Sequence, residues 1–137
     1  MSNYFYIPPS TKIKYGYFLH KGGDNLILWG HGSSPAYERY EDLGTIVKPE
    51  FESTIDIFSE YDATIIMPLL PRDRNSKKYP NLKMDAQILT QETMNLVEGV
   101  KPIEFFLRPD LEVKKIVDKE FGKTAKFTVG GISAGAN

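Results

Sequence analysis

Residues 125–137, AKFTVGGISAGAN, constrain the fold of this chain more than any other stretch. A short strand-forming run at 127–129 leads into Gly131-Ile132-Ser133-Ala134-Gly135, a G-x-S-x-G sequence. Directly after a strand, that spacing describes a nucleophile elbow, a turn from strand to helix so sharp that side chains at the flanking positions would clash. Gly131 and Gly135 are the elbow glycines. Ser133 is then held on a sparsely allowed backbone with its hydroxyl projecting into a pocket. The chain stops two residues after Gly135, so an incomplete domain is expected, cut before the supporting helix has made a turn.

The residues upstream carry periodicities that suit such a turn. Tyr4 to Ile7 reads as an edge strand, blunted by Pro8-Pro9. Ile13, Tyr15, Tyr17 and Leu19 alternate with Lys12, Lys14 and Gly16, which predicts a half-buried strand. Gly22-Gly23-Asp24-Asn25 is turn chemistry, and the apolar run 26–29 is expected to close an antiparallel hairpin as its more deeply buried arm. That arm enters the glycine-rich loop Gly30-His31-Gly32-Ser33, after which Ser34 and Pro35 mark a helix start.

Further on, Phe51, Ile55 and Phe58 predict an amphipathic helix opened by Pro49. Residues 63–67, ATIIM, predict a strand covered on both faces, which breaks at Pro68 into a basic, proline-bearing loop. Residues 85–98 have poorer helical spacing, with Asp85 as a cap. The helix over 108–121 is clearer: Pro109 and Asp110 open it, Val113, Ile116, Val117 and Phe121 form its stripe, and Gly122 closes it. The fold class is therefore α/β, a mostly parallel sheet with an N-terminal antiparallel hairpin in a three-layer sandwich. It forms one domain, with edge strands and hairpin in 1–24 and β/α units in 25–137.

Composition narrows the function by exclusion. Lysine plus arginine number 17 against 18 acidic residues, and no like-charge block occurs, so no nucleic-acid partner is implied. The absence of cysteine rules out disulfides and thiolate metal sites. The carboxylates show no metal-ligand spacing, so neither metal nor other cofactor is expected. No signal-peptide pattern or transmembrane run is present, and a cytoplasmic protein is the default.

An activated serine needs a base for its proton and donors aimed at the oxyanion. In the oxyanion hole the Ala134 amide would give one donor and an amide of Gly32 or Ser33 the second. His31 precedes the nucleophile, whereas in this arrangement the base follows it, so its imidazole is read as a buried, loop-shaping group. His20, at the turn, is read as solvated. Arg72, Asp73 and Arg74 either meet an anionic substrate group or form a solvated charged loop, and Lys77-Lys78 is a solvated pair. Trp29, Phe105 and Phe106 are read as core or pocket wall. No acid or histidine follows Ser133.

LILWGHGSS, ATIIMPLLPR, RPDLEVKKIVDKEFG and FTVGGISAGAN together resemble the N-terminal half of an α/β-hydrolase, within its esterase and polyhydroxybutyrate-depolymerase-like branch. The resemblance implies an α/β-hydrolase-type sandwich. It also implies a serine esterase with Ser133 as nucleophile, oxyanion donors at Ala134 and at Gly32 or Ser33, and a small-molecule ester as substrate. It places the triad acid and histidine beyond Asn137, so the chain alone is expected to be inactive and a complementing C-terminal half is a possible partner. Patatin-type lipases share an S-A-G-A elbow but have a G-G-G-x-R-G oxyanion loop that this sequence lacks. Neither phosphate-binding glycine pattern is matched. The alternative that stays open is a truncated or degenerate hydrolase-like chain acting as a binding module.

Overall fold

The computed structural model describes residues 3–32, 40–70 and 109–132. Its elements are β1 (Phe5–Ile7), β2 (Tyr17–His20), β3 (Asn25–Gly30), α1 (Tyr40–Ile57), β4 (Ala63–Pro68), α2 (Pro109–Glu120) and β5 (Thr128–Gly131), with a short 3-10 turn at Ser59–Tyr61. The strands form one five-stranded sheet in the order β1-β2-β4-β3-β5. β3 is parallel to β4 on one side and to β5 on the other, while β2 is antiparallel to both β1 and β4. The protein is α/β with a mixed sheet. A mostly parallel sheet was the expectation, and among the described residues two pairings are parallel and two antiparallel.

The N-terminal antiparallel pair is made by β1 and β2, with Phe5 opposite Leu19 and Ile7 opposite Tyr17. The hairpin expected between β2 and β3 does not form, because β4 lies between them. The reason is burial. β4 is apolar on both faces and nearly wholly buried, so it takes a central position with a partner along each edge. The turn at Gly22-Gly23 packs against the start of β4 instead. The Gly22 amide donates to Thr64 Oγ1 (3.1 Å), and that hydroxyl donates to the Gly23 carbonyl (2.8 Å).

Alternation along the strands divides the core into two faces. Phe18, Ile27, Ile65 and Met67 pack with Leu43, Val47, Phe51 and Ile55 of α1. Tyr17, Leu19 and Ile66 pack with Ile116 of α2, with Leu28 and Val113 at the margin. The two helices therefore cover opposite faces of the sheet. β2 is buried on both faces rather than half-buried, since Phe18 stacks on Phe51 under α1 while its neighbours face α2. β3 is the less buried strand of the two, a reversal of the expected order.

Helix α1 also departs from expectation at Pro49, which lies inside it. Leu43, Val47, Phe51 and Ile55 recur every fourth residue straight through the proline, and all are buried. The missing amide costs one hydrogen bond to the Thr45 carbonyl, and continuous burial of that stripe outweighs the loss. Helix α2 ends where expected. Phe121 closes a last bond to Val117, and Gly122 follows at φ +93°, a backbone region that favours glycine. The helix expected over 85–98, the start at Ser34-Pro35 and the loop at 72–78 lie outside the described residues.

Candidate active site

The chain leaves β3 through α1 to β4 on one side, then crosses back to place β5 on the other side of β3. Order reverses at β3, and in open α/β sheets the crevice at the carboxyl ends beside such a reversal is where ligands bind. Gly30 lies opposite Gly131 in the β3–β5 register. One residue beyond, the Ile132 amide donates to the Gly30 carbonyl at 3.2 Å. The start of the G-x-S-x-G segment and the glycine-rich loop are thereby hydrogen-bonded neighbours.

His31 joins the third strand-end loop to these two. It is fully buried, and the Leu70 amide just past β4 donates to its Nε2 at 2.9 Å. An amide can only donate, so Nε2 carries the lone pair and the ring proton sits on Nδ1. Nδ1 lies 2.7 Å from the Gly32 carbonyl and donates to it. The imidazole is thus a neutral spacer between the β3 and β4 loops, with both nitrogens engaged. His20 sits at the opposite rim, since β2 runs antiparallel to β4, and its Nδ1 bonds the Asn3 carbonyl at 2.8 Å. It ends β2, half-buried, and its exposed bond ties it to the residues ahead of β1.

The Gly32 amide, one of the expected oxyanion donors, is already in use. It donates to Glu50 Oε1 at 2.9 Å, so an oxyanion reaches this donor only if the carboxylate leaves. Glu50 lies on α1 between Val47 and Thr54, at the margin of the buried stripe. Reading the sequence alone missed it, because a helix opened by Pro49 puts Glu50 in a first turn where acidic residues are commonplace. The signal that finds it is the apolar repeat extended back to Leu43.

Gly131 ends β5, and Ser133, Ala134, Gly135 and Ser33 lie outside the described residues. Trp29 packs against the core on the α1 face, edge-on to Phe58 at 5.2 Å between centroids, with its ring over Gly130. Phe105 and Phe106 fall outside the described residues. Among those described, no cluster of three His, Cys, Asp or Glu side chains could hold a metal, and no helix is long and apolar enough to cross a membrane. No family model, curated protein or solved structure matches the chain.

Proposed function

We propose that this chain contributes the nucleophile and oxyanion side of a serine hydrolase acting on carboxylic esters, on an α/β-hydrolase-type framework. The observation that carries the reading is the bond from the Ile132 amide to the Gly30 carbonyl. It ties the residue before Ser133 to the glycine-rich loop at the sheet's reversal point. Ser133 Oγ attacks the acyl carbon, the alcohol leaves, and water then releases the acid from the acyl-enzyme. The Ala134 amide and an amide of the 32–33 loop hold the oxyanion.

The proton must pass to a base other than the histidines of this sequence, of which there are two. Both ring nitrogens of His31 are committed, and His20 lies at the far rim. The base is therefore supplied by another segment or a partner. In protein that turns over p-nitrophenyl acetate, Ser133→Ala is expected to lower kcat on the order of a million-fold. Turnover near the wild-type rate would remove Ser133 as nucleophile.

The engaged histidines also favour a second reading, a binding module without catalysis. On that reading a fluorophosphonate probe leaves Ser133 unlabelled, while a short-chain ester still binds saturably.

A further inference from the structure

Gly32 lies between two peptide planes, and each is held by a different side chain. The plane joining residues 31 and 32 is held through its N–H, which donates to Glu50 Oε1 at 2.9 Å. The next plane is held through the Gly32 carbonyl, which accepts from His31 Nδ1 at 2.7 Å. Peptide units are rigid, so a bond to one atom of each restrains the orientation of the whole plane. A glycine without those restraints would sample a wide range of φ and ψ.

We propose that Glu50 is a positioning residue for the oxyanion loop: its carboxylate orients the Gly32 peptide and keeps that amide away from the reacting carbonyl. The inference rests on the ester-hydrolase reading above and deepens it. An N–H bonded to a carboxylate makes a charge-assisted bond, among the stronger kinds, and an uncharged carbonyl oxygen competes poorly for it. The Gly32 carbonyl is turned toward the imidazole, so His31 holds the loop from the other side of the same residue. A carboxylate beside an oxyanion is electrostatically adverse, so the role is orientation and not charge stabilisation.

Glu50→Ala and Glu50→Gln separate these effects, since the glutamine amide oxygen can accept the same bond without charge. Glu50→Ala is expected to lower kcat for p-nitrophenyl acetate by about 10- to 100-fold per folded molecule with KM little changed, the scale of a misplaced catalytic group. Glu50→Gln is expected to restore most of it. The folded fraction is taken from a thermal melt of each variant. In ¹⁵N-labelled protein the Gly32 amide proton should shift upfield in Glu50→Ala and hold in Glu50→Gln, whether or not the protein turns over ester. An unmoved Gly32 resonance in Glu50→Ala overturns the proposal, as does wild-type kcat in Glu50→Ala or equal loss in both variants. Turnover unaffected by Ser133→Ala sinks the hydrolase reading; in that case, and in protein without turnover, the Gly32 resonance decides the positioning by itself.

Discussion

Gly130 shows how one residue can set the approach to the site. A Cβ built there would come 2.4 Å from Cζ3 of Trp29, a ring carbon held in place by Phe58. Real carbons do not approach so closely, and a rigid indole packed edge-on to Phe58 cannot yield as a flexible chain end would. Gly130→Ala is therefore expected to destabilise the protein by about 1–3 kcal/mol, the range for overpacking a filled core. A lower urea midpoint with unchanged m-value checks it. His31 works by hydrogen bonding at the same scale. Its buried ring satisfies the Leu70 amide and the Gly32 carbonyl with its two nitrogens, which binds it to a structural task.

Between elements, α2 is anchored to the sheet by polar contacts that supplement its apolar stripe. Glu112, almost fully buried, accepts from the Lys14 amide and from Lys115 Nζ, each at 2.7 Å. Tyr17 on β2 donates its hydroxyl to the Glu120 carboxylate, and Lys119 lies 5.7 Å from the centre of the same ring. Burial first, and the bond to Glu120 second, push the Tyr17 phenol well above its ordinary value of 10.0. The folded state therefore holds this proton more tightly than the unfolded chain. Its stabilising contribution is complete below about pH 10 and declines as pH rises from there toward the raised folded value. Tyr17→Phe should flatten the fall in stability above pH 10, followed by urea unfolding across the alkaline range. At neutral pH the same variant should lose about 1 kcal/mol with the hydrogen bond.

At the scale of the molecule, β5 is both the strand that leads to Ser133 and the end of the described sheet. Val129 is 67% exposed and Ile132 46%, a strip of apolar surface beside a strand edge with no partner among the described residues. Open edges of this kind pair with other chains, and a lysine on them opposes such pairing. Val129→Lys is expected to shift the protein toward smaller species in sedimentation velocity and to reduce binding of an apolar dye. Its register partner Leu28 lies on the α2 face, away from Trp29, so the fold should survive the change. An unchanged size distribution would place association on another surface.

Local chemistry was legible wherever neighbours in sequence decide the conformation. The ATIIM strand, the stripe and glycine stop of α2, the edge strand at Phe5–Ile7 and the α/β class all follow from periodicity and turn residues, which act over a few positions. Two things did not follow. Gly22-Gly23 has the chemistry of a hairpin turn, yet β4 inserts between β2 and β3, because burying an apolar strand along both edges outweighs a tight turn. Pro49 has the chemistry of a helix start, yet α1 runs through it, because packing of Leu43 and Val47 outweighs one lost hydrogen bond. That second override also hid Glu50. Sequence alone nominated the GHG loop and the G-x-S-x-G segment, while only the sheet order brought the described ends of the two together. Contacts such as Gly32 to Glu50, 18 positions apart, exist only once the strands have chosen their neighbours.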